Sequence, residues 1–231
     1  MSLSPADAEG FVLAGGRSSR MGQDKALIEV AGRRLVEHSI QILRGAGLEP
    51  RIAGARSSEL CRFAAVVADV PGESGLGPLA GICAGLAACT RRAVFLPVDL
   101  PLIPTSLIGY LVHHAIVTEA AVTVISVGGF VQTFPAVVDV AALGSLRKSL
   151  HSGDRNCMKA FRAAGGAVPG GLSVLTLELL VQPGQVRHPR ALHPSEWFLN
   201  VNTTEDVDRV SAVMAAAGHH WAGQDECSAL G

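Results

Sequence analysis

Short apolar runs alternate with helix-like segments and with glycine or proline breaks along the first 130 residues. The runs at 11–14 and 93–96 each stop at a loop, which predicts buried strands. Residues 35–43 carry apolar side chains at helical spacing, and Pro78 and Pro104 suit the first turn of a helix. Repeated β–α units of this kind predict a three-layer α/β domain, Rossmann-like, with a mostly parallel sheet between helices. We expect ligand sites at the carboxyl ends of its strands.

After residue 128 the alternation of apolar runs with helix-like segments becomes less regular. The pattern predicts an antiparallel stretch around 134–138, helices near 141–150 and 157–164, and a strand near 172–177. The prolines and glycine within 182–196 predict a loop or lid instead of a regular element.

In the C-terminal part, the residue pattern predicts a strand, a capped helix and a tail. Residues 197–201 have a strand-like pattern, and Thr203 can cap a last helix together with Asp206, three positions later. The apolar stripe of this helix ends at Gly218. We therefore predict one domain over 1–218 and a disordered tail over 219–231.

Composition and charge exclude several classes of function. The chain has 231 residues, a net charge of −1 and no local basic patch, which argues against nucleic acid as a main partner. No apolar run approaches the roughly 20 residues that span a bilayer, so we expect a soluble, cytoplasmic protein without a membrane partner. The five cysteines show no metal-binding spacing.

The segment from Leu13 to Lys25 carries the strongest chemical signal. Gly15 and Gly16 directly follow the first strand and let the backbone approach a ligand closely. Arg20 and Lys25 bring cations to the same loop, so polyphosphate fits it. The segment matches neither the Walker pattern nor GxGxxG. A glycine-rich turn with incidental surface cations is the alternative interpretation.

Two aspartates follow apolar strands. Asp99, between two prolines, lies where open α/β sheets bind ligands and could hold Mg²⁺ together with substrate phosphates. A turn or capping role is the alternative for Asp99. Asp69 has the same kind of position, and taken alone it is more typical of a turn.

Two further segments carry polar or glycine-rich signals. The run Gly75–Gly81 enters a helix and offers free N–H donors. Asn200 and Asn202 are short amides that could hold a cation or a polar substrate, or serve in caps and turns.

Four motifs, in this order, resemble those of the MobA-like nucleotidyltransferase family, which includes molybdenum cofactor guanylyltransferases. They are LAGGRSSRMGQDK, GPLAG, PVDLP and LNVNTTED, and the resemblance runs from residue 11 to about 209. The first motif alone also admits sugar-nucleotide pyrophosphorylases and cytidylyl transferases. The four together narrow the choice to the pterin-cofactor branch.

The resemblance implies roles for individual residues. The glycine loop, with Leu13, Ala14, Gly15 and Gly16, would hold the nucleotide, the first three at the base. Lys25 would contact the phosphates, and Asp99 would bind Mg²⁺. Asp69 corresponds to a nucleotide-binding aspartate, and Asn200 and Asn202 correspond to a pair linked to the pterin. Arg20 would stabilise the leaving pyrophosphate.

The reaction implied by the resemblance is transfer of GMP from GTP to molybdopterin, with release of pyrophosphate. Transient contact with molybdoenzymes or cofactor-insertion proteins would follow. Cytidylyl transfer to the same pterin is one alternative. A non-catalytic nucleotide-binding or cofactor-insertion chaperone is another, and the presence of both Lys25 and Asp99 speaks against it.

Overall fold

Seven strands form one twisted sheet in the computed structural model, which describes residues 8–14, 24–55 and 57–219. The strand order is β5-β4-β1-β6-β8-β7-β9. Strand β8 runs antiparallel to both of its neighbours, and the other pairs are parallel. The strands of this sheet are β1 (Glu9–Leu13), β4 (Pro50–Ala53), β5 (Val66–Val67), β6 (Arg92–Pro97), β7 (Val122–Val127), β8 (Phe130–Asp139) and β9 (Leu172–Thr176).

Helices cover both faces of the sheet, and two separate apolar clusters fill the space beneath them. Along β1, Val12 faces one cluster while Phe11 and Leu13 face the other, as the period of two requires. Helices α1, α3, α6 and α7 contribute to the first cluster, and α2, α4 and α5 to the second. The helices are α1 (Leu35–Gly45), α2 (Pro78–Ala87), α3 (Thr105–Thr118), α4 (Leu143–His151), α5 (Cys157–Ala167), α6 (Leu177–Val181) and α7 (Thr204–His219).

This architecture confirms the predicted three-layer α/β class with a mostly parallel sheet. The continuous apolar runs became central strands because both of their faces are buried. The predicted antiparallel stretch around 134–138 is part of β8. A two-stranded ribbon, β2 (Glu29–Val30) with β3 (Arg33–Arg34), was not predicted from the sequence.

The predicted strand at 197–201 is wrong. Trp197 instead follows a single turn of 3-10 helix, Pro194–Glu196, and is buried while its Nε1 donates to the carbonyl of Leu192 at 2.9 Å. The backbone N–H of Val201 donates to the carbonyl of Asp99 at 3.0 Å, in the loop after β6. Among the described residues no strand pairs with this segment, and an extended pattern becomes a strand only where a ladder partner exists.

The structure confirms the predicted cap at Thr203 and the predicted last helix, α7. The hydroxyl of Thr203 accepts from the N–H of Asp206 at 3.2 Å, at the start of α7. His219, placed in the predicted tail, still ends this helix, and residues 220–231 lie outside the described residues. Within the described ranges, every helix is too short or too polar to cross a membrane.

Candidate functional site

The carboxyl ends of β1 and β6 lie side by side and define one edge of the sheet. Leu13 is in register with Pro97, and the N–H of Val98 donates to the carbonyl of Leu13 at 3.2 Å. The N–H of Ala14 donates to Ala53 at 3.1 Å, on the other side of β1. Ala14, directly after β1, and the start of the loop that holds Asp99 therefore lie side by side at this edge.

Lys25, Asp99 and Asn202 meet at this edge. The ammonium Nζ of Lys25 donates to Oδ2 of Asp99 at 2.9 Å and to Oδ1 of Asn202 at 2.6 Å. The side chains of Lys25 and Asp99 are 13% and 26% exposed, so the ion pair is partly shielded from water. Lys25 begins a single turn of 3-10 helix, which Asp24 caps by accepting from the N–H of Ala26. This cap fixes the backbone at Lys25, from which the side chain extends to Asp99 and Asn202.

The loop that carries Asn200 and Asn202 is held at two points. The N–H of Val201, between them, donates to the carbonyl of Asp99. The N–H groups of Asn202 and Thr203 donate to Oδ2 of Asp206, at 2.8 and 2.9 Å, and the bond from Asn202 is the main cause that lowers the pKa of Asp206. Thr203 caps the helix that follows, and neither Asn side chain takes this role in the described contacts.

A cavity of about 310 Å³ opens beside the Lys25–Asp99 pair. Its volume is at the lower end of the range typical of small-molecule sites. The sequence analysis missed the contribution of β8, because only the strand register shows that β8 lies beside β6. The lining residues are Leu13, Ala14, Lys25, Pro78, Pro97, Val98, Asp99, Leu100, Gln132, Thr133, Phe134 and Asn200.

Asp69 lies at the same edge but farther along it. It follows β5, which is separated from β6 by β4 and β1 in the strand order. Three interstrand spacings place the two strands about 14 Å apart. Oδ1 of Asp69 is buried and has no hydrogen-bond partner among the described residues. Asp69 is therefore a separate polar position, which does not line the cavity around Asp99.

Three predicted site residues, Gly15, Gly16 and Arg20, lie outside the described residues. The other predicted residues are placed, and five of them (Leu13, Ala14, Lys25, Asp99 and Asn200) line the cavity.

Histidines build no metal centre in the part of the chain that the structure describes. There, no group of three or more histidine, cysteine, aspartate or glutamate side chains could hold a metal ion. His188 lies in a smaller cavity with His38 and Arg190, where burial is the main cause that lowers its pKa to about 4. His188 is therefore neutral at physiological pH.

The sequence of this chain has counterparts in known proteins. A family profile described as the MobA-like NTP transferase domain matches residues 10–167, more than half of the chain. A molybdenum cofactor guanylyltransferase of Shewanella amazonensis is 30% identical over 214 residues, which cover 89% of this chain and 96% of the relative. The chain belongs to the MobA-like NTP transferase family.

Solved structures agree with this fold. Molybdopterin-guanine dinucleotide biosynthesis protein A from Archaeoglobus fulgidus superposes with a TM-score of 0.72 at 17% identity, covering 90% of this chain and 99% of that one. A Mycobacterium tuberculosis protein in complex with manganese superposes with a TM-score of 0.56 at 17% identity, covering 89% and 97%.

Membership in the MobA-like NTP transferase family confirms the family and enzyme class predicted from the motifs. The matched region includes Lys25 and Asp99, whereas Asn200 and Asn202 come from beyond it. The site of this MobA-like transferase is thus completed by the segment that leads into α7.

Proposed function

We propose that this enzyme transfers GMP from GTP to molybdopterin, forming the guanine dinucleotide form of the cofactor and pyrophosphate. The contact of Lys25 with Asp99 beside a cavity at the strand ends carries the proposal. A cation and a carboxylate at one point suit a polyphosphate with its bound metal ion. The name of the Shewanella relative supports guanylyl transfer to this acceptor.

The chemistry needs no protein nucleophile. An ionised oxygen of the terminal phosphate of molybdopterin attacks the α-phosphorus of GTP, and the bond from that phosphorus to the bridging oxygen of the β-phosphate breaks. Pyrophosphate leaves with the electron pair. Catalysis then depends on positioning and on neutralising the charge of the phosphates. Lys25 supplies that charge from the cavity wall, and Arg20 is proposed to act on the leaving pyrophosphate.

We assign the metal as Mg²⁺ and Asp99 as its protein ligand. The donors fit, since Mg²⁺ binds one or two carboxylates and takes further oxygens from substrate phosphates and water. The manganese in the mycobacterial structure supports a divalent ion in this fold. When bound, the ion would neutralise charge on the phosphates.

The two asparagines are proposed to serve different sides of the cleft. Asn202 contacts Lys25, so it lies next to the phosphates. Asn200 lines the cavity, and its side-chain amide donates to the carbonyl of Phe198 over a long distance of 3.4 Å. Its amide therefore remains available for the pterin or its phosphate. Leu13 and Ala14 are proposed to contact the base, and Asp69 another part of the nucleotide.

Pyrophosphate release tests this function directly. The purified protein is incubated with Mg²⁺, molybdopterin and each of the four nucleoside triphosphates in turn. We expect release with GTP, dependent on molybdopterin. Faster release with CTP would replace the proposal by cytidylyl transfer. Tight nucleotide binding without release in any mixture would replace it by a non-catalytic chaperone.

A further inference from the structure

The loop between β5 and α2 ends next to a residue that lines the cavity, and it has little internal structure. It runs from Val70 to Gly77 and leads into Pro78, which lines the cavity with Lys25 and Asp99. Two backbone hydrogen bonds lie within it, from Glu73 to Val70 at 2.9 Å and from Leu76 to Glu73 at 3.3 Å. Such a loop needs an anchor elsewhere to hold one conformation.

Glu73 is the buried residue of this loop, although its side chain is charged. That side chain is 7% exposed, whereas the residues on either side of it are exposed. Oε1 accepts from Nε2 of His151 at 2.9 Å and lies 3.8 Å from Nε of Arg147. A carboxylate only accepts, so Nε2 of His151 carries the proton in this contact. Both partners belong to α4, so the carboxylate joins the loop to a helix that is distant in sequence.

The surroundings show that Glu73 lies between α2 and α4. Burial raises the pKa of the Cys83 thiol, on α2, to about 12, and the nearby Glu73 carboxylate adds to the rise. Oε2 of Glu73 and Nε of Arg147 are both buried without a hydrogen-bond partner among the described residues. Burying a carboxylate costs free energy unless the group is paired. The burial of Glu73 between two exposed neighbours therefore indicates that its contacts with α4 have a function.

We propose that Glu73 is a positioning residue for the nucleotide pocket, which it serves through His151 and Arg147. By fixing the loop to α4, it holds Pro78 and the first turn of α2 against the cavity. The inference rests on the proposed function, which identifies GTP as the ligand of this pocket. Releasing the anchor frees the loop, and binding GTP must then order it again, which lowers affinity without altering the reacting groups.

Steady-state kinetics on substituted enzymes tests this role, with GTP varied at saturating molybdopterin. We expect Glu73→Ala to raise the KM for GTP by about tenfold and to leave kcat within about twofold of the wild type. Glu73→Gln keeps an oxygen that accepts from His151, so its KM should rise by only about two- to threefold. His151→Ala combined with Glu73→Ala should raise KM no further than Glu73→Ala alone, because both remove the same contact.

Asp139→Asn is the matched control. It weakens the partly buried pair of Arg92 with Asp139, at 3.4 Å, where β6 begins and therefore at the opposite edge of the sheet from Asp99. It should lower the unfolding temperature while the KM for GTP stays at the wild-type value. A rise in KM equal to that of Glu73→Ala would mean that loss of stability explains both, and would overturn the inference.

Two other results would also overturn it. One is a wild-type KM in Glu73→Ala, and the other is a loss of kcat with KM unchanged. If Glu73→Ala does not fold, the KM for GTP and the kcat are measured for Glu73→Gln and His151→Ala instead. The same two results in these variants would overturn the inference. Calorimetric titration of the wild type with GTP and Mg²⁺ separates the two proposals: absent binding rejects the proposed function, whereas binding unchanged in the variants rejects only the role of Glu73.

Discussion

Lys25 makes two contacts at the centre of the site, and both partners are acceptors. Asp99 offers a charged oxygen and Asn202 a neutral one, at 2.9 and 2.6 Å from Nζ. The arrangement fixes the ammonium group at the strand ends. The Asp99 side chain is still 26% exposed, so a cation that arrives with the substrate can reach it.

Asp99→Asn should lower turnover by about a hundredfold or more, the scale seen when a preorganised charge is removed from a reaction centre. The amide keeps the shape of the side chain, so the circular dichroism spectrum should not change. Pyrophosphate release at saturating GTP and Mg²⁺ is the measurement. The control is Glu49→Gln, which removes an exposed carboxylate 3.7 Å from Arg44 and should leave turnover at the wild-type level. Near-normal turnover in Asp99→Asn would refute the metal assignment.

The two asparagines should separate in kinetics. Asn200→Ala should raise the concentration of molybdopterin needed for half-maximal rate by about 5- to 100-fold, the range for one lost hydrogen bond, with unchanged GTP affinity. Asn202→Ala, in contrast to Asn200→Ala, should weaken the binding of GTP, because it removes the hydrogen bond from Lys25 to Asn202. Calorimetry with GTP and rates at varied molybdopterin provide the two readouts. The opposite pattern, with Asn200 affecting GTP alone, would contradict this division of the cleft.

At the scale of elements, the close approach of α2 to the sheet sets one side of the cavity. Gly81 and Gly85 are four residues apart and face the sheet together. A Cβ at Gly85 would lie 2.8 Å from the Phe95 ring and 3.1 Å from that of Phe11. Both rings are fully buried and stacked, so they have little room to move.

Gly85→Ala should therefore destabilise the fold by about 1–3 kcal/mol, the usual cost of overpacking, despite the better helix propensity of alanine. Gly109→Ala in α3 is the control, because a Cβ there meets no atom within 4 Å. It should stabilise the protein by roughly 0.5–1 kcal/mol. Urea denaturation measures both changes. Equal effects of the two substitutions would show that α2 does not need this close contact.

For the whole molecule, the sheet joins the two apolar clusters. Strands β1 and β6 lie in its centre and contribute to both clusters, through Val12 and Phe11 on one strand and Leu96 and Phe95 on the other. Neither set of helices therefore has a core independent of the other. The single domain over 1–218 stays a prediction.

The chain should unfold in one cooperative transition. Far-ultraviolet circular dichroism and tryptophan fluorescence should give the same denaturation midpoint, because loss of the shared strands removes both clusters. GTP with Mg²⁺ at about 100 times its Kd should stabilise the folded state by about 2.7 kcal/mol. Two separated transitions, with only one shifted by GTP, would instead indicate two domains.

The sequence by itself determined the class of the fold and the edge of the sheet at which Asp99 lies. Continuous apolar runs require burial on both faces, which led to parallel strands, and the position of Asp99 after such a run placed it at the ligand-binding edge. The spacing of Thr203 and Asp206 likewise predicted the cap of α7. These features are local, because the spacing of apolar residues and of capping residues can be read within one element.

Only the tertiary structure decided which distant residues meet. Lys25 contacts partners 74 and 177 positions away, and the Asn200–Asn202 loop is placed by a backbone bond from Val201 to Asp99, not by a strand. Glu73 had no signal in the sequence, since a glutamate in a glycine-rich loop is typical of a solvated surface. Its burial depends on α4, about 75 residues further along the chain. Contacts of this kind are selected by packing between elements, and no local pattern of residues encodes the partner that packing brings.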